Sequence, residues 1–139
     1  MSNSINKKNI STQAACIAVQ AAVEKAIELG IDINVSVVDS SAIEMAFLRM
    51  NNSFLPSMDI AKDKAYTSAG FGLPTMQWKD ILEGNTQLQA GIVARPRVIT
   101  FGGGLPIFEE EEIIGAIGVS GGSEEEDVVC AQAGIDAII

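Results

Sequence analysis

Two β-branched runs stand too close together in this chain to be anything but neighbours in an antiparallel sheet. Ile33-Asn34-Val35-Ser36-Val37-Val38-Asp39 reads as a strand, Asp39-Ser40-Ser41 is turn chemistry, and Ile43–Met50 follows as a second strand. Parallel pairing needs a crossover of about a dozen residues, and no such length is available here. The pattern returns near the C-terminus, where Leu105–Phe108 and Ile113–Ser120 are joined across Glu109-Glu110-Glu111-Glu112. A shorter strand is expected over Val98–Phe101. Between the strands the periodicity turns helical. Residues 11–29 place Ala14, Ile17, Ala18, Ala21, Ala22 and Leu29 largely on one face, with Ser11 as N-cap and Gly30 as stop. Pro56-Ser57 opens a helix to about Ala69, Thr75 caps a short one through Leu82, and Ser123 with Glu126 forms a capping box for a last helix through Ile139. Residues 85–97 carry little periodic signal. The expectation is a single α+β domain over residues 1–139, a central antiparallel sheet with helices packed on it.

Composition narrows the partners. With 139 residues and 47% apolar side chains the chain can bury a core unaided, and only 5% aromatics make that core aliphatic. No apolar run approaches the roughly 20 residues of a membrane span. Met1–Lys8 lacks the apolar stretch of a secretory signal, so a cytoplasmic location is expected. Eighteen acidic against nine basic residues leave a net charge of −9. Such a surface repels phosphate backbones and anionic lipid, which turns attention from nucleic acid and membranes to small molecules. Cys16 and Cys130 form neither a redox nor a zinc motif and read as small core residues. No histidine is present. Ser-His-Asp and Cys-His catalysis and histidine-ligated metals are thereby excluded.

The candidate functional residues are few. Ile114–Ser123 passes from a strand through glycines into a helix start, a geometry that serves tight packing or an anion on free N–H groups. Glu124, Glu125, Glu126 and Asp127 already occupy the positive end of that helix, so phosphate fits poorly. Gly102-Gly103-Gly104 leads into a strand and reads as a kink or a pocket rim. Four consecutive glutamates cannot converge on one cation from a strand, so Glu109–Glu112 reads as a solvated hairpin tip and no metal site is expected. Lys64 lies in the stripe Ile60–Lys64–Thr67–Phe71, and an ammonium there must snorkel, meet an internal carboxylate such as Asp39 or Asp127, or meet a ligand. Arg49, closing the row Ile43, Met45, Phe47, poses the same question.

Several ordered blocks together resemble the GlcG/HbpS-like family: Asn34–Asp39, Leu48-Arg49-Met50-Asn51, Ile60-Ala61 with Lys64-Ala65 and Thr67, Gly103–Ile107, and Ile114–Gly122 with Asp127 beyond. They span about residues 11–138. The resemblance implies a profilin-like fold, homo-oligomers, and functions that include haem binding, association with glycolate metabolism and the C-terminal domain of PduO-type corrinoid adenosyltransferases. The chain departs from the family pattern at Asn51, at Ser41-Ala42 and at the glutamate tetrad. Haem is the cofactor the resemblance suggests, and without histidine its iron would need Met, Tyr, Cys or a weak oxygen donor.

The leading expectation is a protein that binds a small organic ligand, a tetrapyrrole or a carboxylate metabolite. Lys64 and Arg49 would meet ligand carboxylates, with Gly103, Gly104 and Ser120 offering backbone or hydroxyl contacts. One alternative is a cofactor-independent lyase or isomerase with Lys64 as base or Tyr66 as acid, which requires those groups in one pocket. The other is a structural domain of a larger assembly.

Overall fold

The computed structural model describes residues Met1–Ile139. Its elements run α1 (Thr12–Leu29), β1 (Asn34–Asp39), β2 (Glu44–Arg49), α2 (Ser57–Phe71), a 3-10 turn (Thr75–Gln77), α3 (Trp78–Leu82), α4 (Thr86–Ile92), β3 (Gly104–Glu109), β4 (Glu112–Ser120) and α5 (Glu124–Asp136). The four strands form one sheet in the order β2-β1-β4-β3, and every pairing is antiparallel. This is the expected α+β architecture. Local chemistry sets its punctuation. Asp39 Oδ1 accepts from the Ser41 and Ile43 N–H groups at 2.8 and 3.1 Å, closing the first turn. Glu110 and Glu111 take positive φ at the second hairpin tip. Ser11 caps α1, and Ser123 with Glu126 completes the capping box of α5.

The two faces of the sheet differ in chemistry because side chains alternate along each strand. Val35, Val37, Leu105, Ile107, Ile117 and Val119 form an aliphatic face under α1 and α5. The opposite face carries Asn34 and Ser36 on β1, Gly118 and Ser120 on β4, and Gly104 on β3, in register. Helix α2 packs on this small, polar face. It comes close because Gly118 is bare: an added Cβ would collide with the Ala61 carbonyl and stand 2.5 Å from the Ala65 nitrogen.

Tertiary packing overrides several sequence expectations. The buried stripe of α1 is Ala15, Ala18, Val19, Ala22 and Ala26, while Ile17 and Leu29 are 41% and 39% exposed. Close approach to α5 explains the rotation, since a Cβ on Gly134 would lie 2.8 Å from the Ala18 carbonyl. Alanine fits such a seam where isoleucine does not. Cys130 is buried as expected, but Cys16 is exposed on the outer side of α1. Val98–Phe101 is not a strand. Its backbone is held by α2, where the Thr67 hydroxyl donates to the Arg97 carbonyl at 2.9 Å and accepts from the Ile99 N–H at 3.0 Å. Residues 85–97 contain the helix α4, capped by the Asn85 side chain on the Leu88 N–H. Thr75 does not cap a helix, because its hydroxyl accepts from the Gly104 N–H at 2.9 Å. Trp78 packs edge-to-face on Phe71, with ring centres 4.9 Å apart.

Candidate functional site

Lys64 projects from α2 into the interior with 1% of its side chain exposed. Its ammonium donates to Asp127 Oδ2 at 3.2 Å and to the Val119 carbonyl at 2.8 Å, and it lies 5.1 Å from the centre of the Phe101 ring. The Gly122 N–H donates to the other Asp127 oxygen at 2.9 Å. The glycine turn ahead of α5 therefore does hold an anion, and the anion is the protein's own carboxylate. Burial pushes the Lys64 ammonium below its ordinary 10.5 and the Asp127 carboxyl above its ordinary 3.8, and each partner's charge opposes the other's shift. The stripe expected around Lys64 is only partly the buried one. Phe71 is 48% exposed, whereas Ala61, Ala65 and Ser68 are buried.

Bare backbone completes the enclosure of Lys64. Gly103, at φ +131°, approaches so closely that a Cβ would stand 2.5 Å from Lys64 Nζ and collide with the Val119 carbonyl. A Cβ on Gly104 would stand 2.6 Å from the Lys64 carbonyl. Lys64, Gly103 and Gly104 are thus brought together. Ser120 and Arg49 gather elsewhere, on either side of Asn34, which pairs with both. Arg49 is exposed and donates to the Ser53 carbonyl at 3.2 Å, while the Ser53 hydroxyl donates to Asn34 Oδ1 at 3.2 Å.

None of these five residues lines a cavity directly. A cleft of about 340 Å³ lies beside the Gly102–Gly104 strap, walled by Met76, Lys79, Thr100, Gly102, Glu124, Glu125 and Val128. Glu124 ties the strap down by accepting from the Gly102 N–H at 2.8 Å. A roomier groove of about 500 Å³ runs between α2 and the segment after α4, lined by Tyr66, Gly70, Phe71, Ile92, Arg95, Pro96 and Val98. The two differ in sign. The cleft sets two glutamates against one lysine, whereas the groove has no carboxylate in its wall and presents Arg95. The ion pairs of the protein engage Lys8, Lys25, Lys62, Lys64 and Arg97, so Lys7, Arg49, Lys79 and Arg95 have no carboxylate partner, and of these only the exposed Arg95 borders the groove. Lys64 and Tyr66 share no cavity, so the pairing that an acid–base reading of them requires is not formed.

A family model described as haem degrading protein HbpS-like matches residues 10–136. This chain belongs to the HbpS-like family. The crystal structure of the Klebsiella pneumoniae protein ORFY superposes on this HbpS-like chain with a TM-score of 0.94 at 32% identity, covering 99% of this chain and 96% of that one. The crystal structure of PduOC in complex with haem superposes with a TM-score of 0.87 at 33% identity, covering 94% and 95%. The corrinoid adenosyltransferase PduO of Salmonella typhimurium is 36% identical over 121 residues. That match takes in 86% of this chain and only 36% of PduO, so the chain corresponds to about a third of that relative's length.

Sequence reasoning missed the groove. Tyr66 enters the sequence reading only as the acid of the lyase or isomerase alternative, and Arg95 and Pro96 fall in the segment with the weakest periodic signal. The usable clue was charge: Arg95 stands among apolar neighbours, Ile92, Val93, Pro96 and Val98, with no acidic residue between Glu83 and Glu109.

Proposed function

We propose that this HbpS-like protein binds a small, apolar, anionic organic molecule in the groove between α2 and the segment after α4, with a tetrapyrrole of the haem class as its ligand. The observation that carries the reading is the unpaired Arg95 guanidinium at the edge of a wall formed by Phe71, Ile92, Pro96 and Val98. Burying apolar surface there is favourable at about 25 cal/mol per Å². A ligand carboxylate on Arg95 adds a charge-assisted hydrogen bond of about 1.5–3 kcal/mol. The haem complex of PduOC supports the ligand class. The groove fits that group, since its wall is apolar, its volume of about 500 Å³ falls among ligand sites, and no carboxylate faces the propionates. Haem, when bound, brings iron-centred redox and ligand chemistry, while the chain supplies the apolar wall, the cation and the exclusion of water from one ring face.

A second reading places a carboxylate metabolite against the Gly102–Gly104 strap. The cleft beside the strap favours it, with Lys79 as the available cation and Lys64, Gly103 and Gly104 holding the wall from behind. Titration with hemin separates the two. In the first reading Arg95→Ala weakens hemin uptake about tenfold or more while Lys79→Ala leaves it unchanged. Equal uptake by wild type and Arg95→Ala would remove the groove.

The same reading takes the protein to be cytoplasmic and self-associating. Two unpaired cysteines and exposed Ile17, Ile27, Phe54, Leu55 and Phe108 support it. No helix is long and apolar enough to cross a membrane. Light scattering should return a multiple of 14.6 kDa, and the monomer mass at micromolar concentration would contradict self-association.

A further inference from the structure

We infer that Tyr66 is the side chain that donates to the iron of a tetrapyrrole held in this groove, its ring held by the stacked Arg97 guanidinium. The inference rests on the haem reading above and adds the identity of the donor. The chain has no histidine, which removes the commonest ligand. Cys130 is sealed in the core, Cys16 stands on the outer side of α1, and Met76 belongs to the acidic cleft. Within the groove, Gly70, Phe71, Ile92, Pro96 and Val98 carry no donor atom, and a guanidinium has no lone pair to give. Tyr66 remains.

The surroundings of Tyr66 suit the role. Its ring lies under the Arg97 guanidinium, 4.0 Å from ring centre to Cζ. Arg97 is itself held on two sides: its Nε donates to Asp63 at 2.8 Å, and its carbonyl accepts from the buried Thr67 hydroxyl at 2.9 Å. It also adopts φ +69°, a conformation costly for a side chain of this kind and kept here by those bonds. The polar bonds of this flank run between Arg97, Asp63, Thr67 and Ile99, and none of them uses the Tyr66 hydroxyl. The phenol oxygen is therefore uncommitted, while the Arg97 guanidinium, itself paired with Asp63, holds the ring in place by stacking on its face. On ligation the phenol proton passes to water as the oxygen lone pair turns to the iron. The iron stays ferric and no electron is transferred.

The test is hemin titration of wild type, Tyr66→Phe and Met76→Leu, followed by Soret absorption and resonance Raman spectra of each complex. The wild-type complex should show iron–phenolate vibrations. Tyr66→Phe should lose them and bind hemin about tenfold more weakly or worse, with an unchanged melting midpoint, since the hydroxyl bonds to nothing in the fold. Met76→Leu should match the wild type. A wild-type complex without phenolate vibrations, or a spectral change that follows Met76→Leu, overturns the assignment of Tyr66 and leaves the groove reading intact. Absence of any hemin uptake by the wild type overturns both.

Discussion

Replacing Lys64 by methionine tests the buried centre most directly. Methionine keeps the apolar stem and drops the charge, so Asp127 is left with the backbone of Gly121 and Gly122 and the start of α5 to answer it. Removing one member of a buried ion pair costs about 3–5 kcal/mol. Two effects place the loss at the lower end. Burial already holds the Asp127 carboxyl above 3.8, which eases its protonation, and the penalty for burying the ammonium disappears with it. Against that, the Val119 carbonyl loses its 2.8 Å donor. The net loss should be about 3 kcal/mol. At about 4 °C per kcal/mol for a chain of this size, the melting midpoint should fall by roughly 12 °C. Adding Asp127→Leu should restore most of it, because a well-packed apolar pair replaces a buried ion pair at little cost or with a gain. Thermal melts of the wild type, both single variants and the double variant close the cycle. A Lys64→Met protein that melts like the wild type would refute the reasoning, because it would mean that the charge on Asp127 needs no partner.

The pH dependence has a definite sign. With the Asp127 carboxyl raised by burial, the folded protein keeps a proton that the unfolded chain releases, so in the window above 3.8 stability from this group rises as pH falls. The stability difference between wild type and Asp127→Asn, followed by urea unfolding, should therefore widen on acidification towards 3.8. A difference that narrows would show that the pull of Lys64 dominates burial. The two thiols should separate. Burial and then the Asp127 and Glu126 carboxylates push Cys130 up to about 11, while Cys16 is exposed. A thiol reagent at about pH 8 should thus label one cysteine quickly and the second only on unfolding, and two fast thiols would contradict the packing of α5. Gly118→Ala should cost roughly 1–3 kcal/mol or more, since α2 must lift from β4 to admit the methyl group. A urea midpoint equal to the wild type's would show that the contact between α2 and the sheet is looser than described.

What was legible in the sequence follows the range of the interactions involved. The Asp39 turn, the α5 capping box and the antiparallel hairpins depend on residues within a few positions of one another, and each is read correctly from the chain. The buried face of α1 depends on Gly134, more than a hundred residues away: of the face read from periodicity Ala18 and Ala22 are buried, but Ile17 and Leu29 are turned outwards. Lys64 lies between these cases. Its place on a largely apolar helix marks it as needing an answer, and Asp127 is one of the two carboxylates that the sequence offers. Choosing between them depends on Gly103, Gly118 and Gly122, which bring α2, the strap and the start of α5 to one point. Asp39, the other candidate, is already occupied by its own turn. The groove was the least legible feature because no single element makes it. Tyr66 and Phe71 come from α2, Ile92 from the end of a seven-residue helix, and Arg95 and Val98 from a loop that Thr67 and Asp63 fasten down. A concave wall of this kind has no period. It becomes visible only when the loop is anchored, and the residue that anchors it, Thr67, looks in the sequence like one more member of a helical stripe.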